Sequence, residues 1–393
     1  MKFRILSLDG GGMWGIVSAT VLASFERAIG KPIQEYFDLV AGTSTGSILA
    51  SGISNGNSPQ ELINLYAENG LTIFPYTKFF THKRIPVALR YGILGPKHSP
   101  DGLSKVLQGQ FRNKKISDIT HPKLLITAYD TLSRSPIFFK NWRSRFIDMP
   151  LWEACVCSSA APTFFPAHRL TRKEGGSVIS ATSNSIHFAE ILNVDPYNKM
   201  QVEIIAGRGV GQTREVSNFL QTKQEQVALI DYPWEVIPDH TSFYSLTVEY
   251  SLIDGGVGAN NPAACAIAEA LRLGHSLQDI YVLSVGTGLF TESIPWEKAE
   301  RWGILNWATA ISNVLIDASS DINDYVAEQI TCRDHYLRLQ FRLDRDTSVA
   351  ISNKIDDATD ENLNNLVRVA NEYINQPNIM GNIKDFLVKA ADD

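Results

Sequence analysis

The first fifty residues alternate apolar strand, glycine turn and helical pattern, and that order leaves few folds open. An apolar run reaches Asp9 and meets Gly10-Gly11-Gly12, a helical period follows over residues 16–29, and residues 37–41 return to an apolar run that ends in a second glycine turn. Strand, crossover helix and strand make a βαβ unit. Its strands are parallel because the helix carries the chain back along the sheet. Further strands are expected over residues 123–128, 136–139 and 279–285. Helices are expected over 59–68, 103–108, 151–158, 262–273, 296–329 with a break, and 360–374. Asn260-Asn261-Pro262 marks one helix start, with an Asn cap and proline in the first turn.

Between residues 172 and 245 the texture changes to short, alternating, β-branched runs punctuated by Gly, Asn and Pro. An inserted β-rich module is expected there, inside a main domain made of residues 1–171 and 246–393.

With 44% hydrophobic and 20% charged residues, the 393-residue chain has enough apolar side chain for a large packed core. A net charge of −6, from 36 basic and 42 acidic residues with no Lys/Arg block, argues against a nucleic-acid partner held by phosphate neutralisation. The N-terminal apolar run is too short for a signal peptide. No stretch reaches the roughly 18 apolar residues of a membrane span, so lipid contact is expected to be peripheral. Four scattered cysteines, Cys155, Cys157, Cys265 and Cys332, make neither a disulfide framework nor a zinc site, and fit a reducing, cytoplasmic compartment.

Three segments carry candidate chemistry. Gly42-Thr43-Ser44-Thr45-Gly46 follows an apolar strand and opens a helix, the context of a nucleophile elbow. Glycines two residues either side of the serine let strand and helix pass closely, and the helix N-terminus directs N–H groups at a reacting carbonyl. Asp9-Gly10-Gly11-Gly12-Met13-Trp14-Gly15 contains Gly-x-Gly-x-x-Gly, which fits a dinucleotide turn or an oxyanion hole. The second strand ends in Ala41-Gly42-Thr43-Ser44, without the acid that a ribose needs. Asp254-Gly255-Gly256 ends a third apolar run and, taken alone, reads first as an Asx-type turn.

Together, in this order, the three segments resemble the patatin-like phospholipase family. The similarity extends to Ser158-Ser159-Ala160-Ala161-Pro162-Thr163-Phe164-Phe165-Pro166 and, more weakly, to residues 284–288 and 336–343. The resemblance implies Ser44 as nucleophile, Asp254 as base, and Gly10, Gly11 and Gly12 as oxyanion hole, supported by Gly15, Gly42, Gly46, Gly255 and Gly256. The expected fold class is α/β, a three-layer α/β/α sandwich with a mostly parallel central sheet plus the inserted β module. The expected activity is hydrolysis of lipid esters without metal, calcium or organic cofactor. His275 and His335, the histidines after Asp254, lie at no glycine-flanked strand tip. Residues 74–90 mix aromatics and cations, as do both lipid-interface segments and caps packed over a core. Two other readings stay open: a non-catalytic lipid-binding or interaction protein, and a membrane-degrading defence effector switched by a nucleotide signal.

Overall fold

The computed structural model describes residues 2–189, 192, 198–221, 226–290, 293–332, 334–345 and 347–391. Of the β-rich stretch expected over 172–245, residues 190–191, 193–197 and 222–225 lie outside the described residues. Two compact units emerge. One comprises Met1–Tyr129, Pro136–Ala167 and Ile253–Asp393, the other Asp130–Ser135 and His168–Leu252. The strands in chain order are β1 (Phe3–Leu8), β2 (Leu39–Thr43), β3 (Lys123–Asp130), β4 (Ser135–Lys140), β5 (His168–Thr182), β6 (Ser185–Phe188), β7 (Lys199–Ala206), β8 (Thr213–Gln221), β9 (Gln226–Ile230), β10 (Phe243–Asp254), β11 (Ile280–Val285) and β12 (Tyr336–Leu339).

In the first unit the order β12-β11-β1-β2-β3 is parallel at every step. Parallel strands are covered on both faces, which is why β2 and β11 are buried along their whole length. The helix Ala263–Arg272 sets Ala263, Ala266, Ile267 and Ala270 against Phe3, Ile5, Leu39, Ala41, Ile280 and Val282. Its alanines let the helix approach the sheet closely. Register then positions the chemistry: Leu8 pairs with Gly42 and with Val285, so the turns that follow β1, β2 and β11 leave the sheet side by side.

Most expected helices are present, as Gly15–Ile29, Pro59–Ile73, Pro100–Phe111, Leu151–Ser158, Ala263–Arg272 and Asp360–Ile374. The expected break divides Trp296–Ala299 from Ile304–Ile330. The helices Ile85–Tyr91 and Pro377–Ala390 were not anticipated. Among the described residues, no helix is long and apolar enough to cross a membrane.

The second unit corrects the fold class. Strands β10, β5, β6, β9, β8 and β7 pair antiparallel in that order, and β7 pairs back to β10, closing a six-stranded barrel. Antiparallel pairings thus outnumber parallel ones among those described, and a mostly parallel sheet in a three-layer sandwich does not describe this chain. The reason lies in the two long strands. With 15 and 12 residues, β5 and β10 have length for extended ladders, and closure gives each barrel strand a neighbour on both sides and leaves no open edge. Alternation fills the interior: Tyr244, Leu246, Val248 and Tyr250 of β10 are buried with Met200, Val202 and Ile204 of β7, and Phe188 packs 4.4 Å from Tyr244.

Candidate active site

Ser44 sits between β2 and the helix Thr45–Ser54 with φ 54° and ψ −123°, a left-handed conformation that costs a non-glycine residue about 1–3 kcal/mol. Its surroundings hold it there. The Ser44 N–H donates to Ser158 Oγ at 2.8 Å, and its carbonyl accepts from the Ser47 N–H at 2.9 Å and Ser47 Oγ at 2.6 Å. The flanking glycines have steric reasons: a Cβ on Gly42 would collide with the Gly46 carbonyl, and one on Gly46 with the Leu8 carbonyl.

Asp254 ends β10 and is buried. Its carboxylate accepts from the Gly256 N–H at 2.7 Å, and the Ser44 side chain also favours its charged form. Burial pushes the carboxyl up to about 6, against the opposing pull of those two groups. The turn at Ser158 fixes both partners. While its hydroxyl holds the Ser44 N–H, its carbonyl accepts from the Gly255 N–H at 3.3 Å, and the Ala160 carbonyl accepts from the Asp254 N–H at 3.0 Å. A Cβ on Gly255 would strike Thr127, so glycine lets this turn lie against β3.

The three-glycine loop leaves β1 beside Ser44, and a Cβ on Gly10 would lie 3.1 Å from the Ser44 Cβ. The N–H groups of this loop are not equally placed. The Gly10 N–H already donates to the Asn260 carbonyl at 3.1 Å, whereas no hydrogen bond of the Gly11 or Gly12 N–H appears among the described residues. Gly11 lies against Thr287, Gly12 takes φ 57° against the Ile355 carbonyl, and Gly15 lies against Thr45. The loop is fixed at each end: Thr287 Oγ1 donates to the Gly10 carbonyl at 3.1 Å, and the Met13 N–H donates to the Ile355 carbonyl at 2.7 Å.

Sequence reading missed two groups nearby. Asp9 is buried and gripped by Arg338 of β12, whose Nη1 lies 2.9 Å from one carboxylate oxygen while Nη2 meets the other. His98 is fully buried with Nε2 2.8 Å from Asp356, which also pairs with Lys97, and Phe74, Tyr76 and Phe165 surround its ring. Neither stands in a local motif; each partner comes from more than 250 residues away. His275 stacks on Phe3 and His335 on Tyr281, both as packing residues. Burial pushes the Cys155 thiol up to about 12, so it is no thiolate nucleophile. Among the described residues, no three His, Cys, Asp or Glu side chains form a metal cluster.

A strained serine and a buried carboxylate held by one turn, with glycine N–H groups alongside, are suited to acyl transfer. The comparisons agree. Residues 6–184 match the family model for patatin-like phospholipase. Curated relatives span most of the chain: "Patatin-like protein 2" of Oryza sativa subsp. indica is 26% identical over 93% of this chain and 82% of its own. "Patatin-like protein 3" of Arabidopsis thaliana is 24% identical over 93% and 79%, and "Patatin-15" of Solanum tuberosum is 23% identical over 95% and 84%. Among solved structures, the crystal structure of VipD from Legionella pneumophila aligns with a TM-score of 0.32 and 9% identity over 95% of this chain and 67% of that one, too distant to argue from. Residues 6–184 thus carry a match to the patatin-like phospholipase domain, and patatin-like proteins resemble the chain along most of its length.

Proposed function

We propose that this enzyme, a lipid acyl hydrolase by family, cleaves acyl esters of glycerolipids with Ser44 as nucleophile and Asp254 as its only general base. The observation that carries the reading is the turn at Ser158, whose hydroxyl accepts from the Ser44 N–H at 2.8 Å while its carbonyl accepts from the Gly255 N–H, next to the buried Asp254 carboxyl that desolvation pushes up to about 6. An ordinary carboxylate near 4 is a poor acceptor for a serine proton; desolvation raises its proton affinity toward the working pH.

In the first step Ser44 Oγ forms a bond to the ester carbonyl carbon while its proton passes to Asp254. The carbonyl oxygen becomes an oxyanion. The Gly11 and Gly12 N–H groups are the donors proposed for it, since Gly10 is engaged by Asn260. Collapse expels the alcohol, which takes the proton from Asp254 and leaves an acyl-Ser44 ester. Water then attacks that ester, again giving its proton to Asp254, and the fatty acid departs as Ser44 recovers its hydrogen. Four cysteines without disulfides fit a reducing, cytoplasmic setting. Residues 172–245 are proposed as an inserted module in a hydrolase domain of residues 1–171 and 246–393.

The test is release of a fluorescent fatty acid from a phospholipid and from a short-chain ester without calcium, comparing wild type with Ser44→Ala and Asp254→Ala. Loss of both activities in folded variants supports the dyad. Undiminished turnover by Ser44→Ala would sink it.

A further inference from the structure

Residues 71–96 take no part in the chemistry above, yet they concentrate large apolar side chains in water. Phe80, Leu89 and Leu94 expose 81%, 84% and 91% of their surfaces, and Leu71, Ile85 and Ile93 more than half. The helix Ile85–Tyr91 buries Val87 and places Ile85 and Leu89 one turn apart on a single face, with Ile93 and Leu94 in the turn that follows.

That exposure is built into the fold. Arg84 is buried, and its guanidinium donates to the carbonyls of Ile93 at 2.8 Å, Gly95 at 2.7 Å and Pro96 at 3.1 Å while stacking 3.8 Å from the Phe79 ring centroid. Tyr76 Oη donates to the Lys97 carbonyl and Lys97 Nζ to the Thr77 carbonyl, both at 2.6 Å. A turn stapled from inside cannot fold its leucines inward. The base of the segment is anchored beside the glycine loop, because Lys97 and His98 both bond Asp356 and the adjacent Ile355 carbonyl accepts the Met13 N–H.

Charge decides what such a surface meets. No Asp or Glu occurs between Glu68 and Asp101 in a chain of net charge −6, while Lys78, His82, Lys83 and Arg90 are exposed there. Arg90 lies 3.7 Å from exposed Asp101, a loose surface pair. A second copy of this face would bring like charges together, which disfavours self-association. Apolar tips with a cationic rim suit a lipid surface: the cations draw in anionic headgroups, and the leucines and phenylalanine enter the acyl boundary.

We propose that residues 78–94 form a docking knob for an anionic phospholipid bilayer. The proposal rests on the lipid-hydrolase reading for its purpose, but its test does not depend on turnover. Full-length Ser44→Ala protein is sedimented with vesicles of phosphatidylcholine alone or with phosphatidylglycerol added. Binding to the anionic vesicles, weakened by salt, is expected. Leu89→Asp/Leu94→Asp should lower that affinity more than tenfold, and Lys78→Glu/Lys83→Glu should lower it for anionic vesicles while equalising the two compositions, at about fivefold for each cation lost. With Ser44 intact, the same variants should hydrolyse a soluble short-chain ester at the wild-type rate. Equal binding of the parent protein to both vesicles, wild-type binding by the leucine variant, or conversion of a dimer to a monomer by that variant would overturn the knob. An inactive wild type on the soluble ester would instead count against the catalytic reading alone.

Discussion

Asp9 and Asp254 occupy matching positions, each a buried aspartate at the end of a strand and just before glycines, yet their surroundings assign them opposite work. Burial pushes both carboxyls up. At Asp9 a guanidinium pulls against burial: Arg338 binds both oxygens, Ser320 Oγ lies 3.3 Å away, and Arg338 also reaches Ser284 Oγ at 2.8 Å. At Asp254, among the described residues, the groups that oppose burial are the Ser44 side chain and the Gly256 N–H. Pairing with a bidentate cation favours the charged form of a carboxylate, which then serves as a clamp on the strand end. One held by a hydroxyl and an amide keeps its proton affinity and can accept the hydroxyl's hydrogen. On the proposed dyad, the partner rather than the residue type separates clamp from base.

The largest effect should come from removing the base. Asp254→Asn is expected to lower kcat/KM on a soluble ester by about 10²–10⁴-fold, the range of general-base catalysis. Stability should move the other way. A carboxyl that titrates near 6 when folded and near 4 when unfolded binds its proton more tightly in the folded state, so its contribution is fully favourable below pH 4 and is lost as pH rises through 6. At neutral pH that lost contribution is about 3 kcal/mol, which the neutral amide does not forfeit. The Asn variant should therefore melt no lower than wild type at pH 7.5. A lower melting temperature would mean that Asp254, too, is a clamp.

Arg338→Met attacks the comparison from its other side. It leaves Asp9 buried without a cation, and the expected loss is about 3–5 kcal/mol in denaturant unfolding. Adding Asp9→Asn should recover much of that loss, because the unpaired charge is then gone. If the double variant is no more stable than the single one, Arg338 contributes through packing and Asp9 is no clamp.

The unequal legibility of these two aspartates has a physical cause. Asp254 stands in a local pattern of strand, Asp, two glycines and helix, and Ser44 in strand, turn and helix; each needs only its own neighbours to be recognised. Asp9 is just as visible, but the residue that defines its role is 329 positions away on β12, placed there by sheet order. The Gly10 N–H shows the same limit, since the Asn260 carbonyl that engages it arrives from the turn before a distant helix. In the barrel, alternation revealed strands but could not reveal closure, which depends on β10 pairing with both β5 and β7. The helix Ile85–Tyr91 is shorter than the windows in which helical period can be read, and Pro86 obscures its start.

Ser158→Ala should give a smaller change that bears on Asp254 alone. It strips the buried Ser44 N–H of its acceptor, at a cost of about 1–3 kcal/mol. Because the left-handed Ser44 backbone depends on that bond, kcat should fall about tenfold or more with KM little changed; an equal rise in KM would indicate a binding role instead.

The sharpest discriminator is the pH profile of kcat/KM on a soluble ester. Asp254 must be ionised to accept the Ser44 proton, and burial holds its carboxyl up near 6, so activity should be flat above pH 7. Below 6 it should fall about tenfold per pH unit as the base is protonated. Vesicle binding is bypassed by the soluble substrate, so this limb reports the dyad rather than the docking surface. In the Asp9→Asn/Arg338→Met background the limb should stay where it is, because Asp9 titrates outside the proton path. A limb that moves with Asp9, or full activity retained to pH 4, would show that the two strand-end aspartates are not divided into clamp and base.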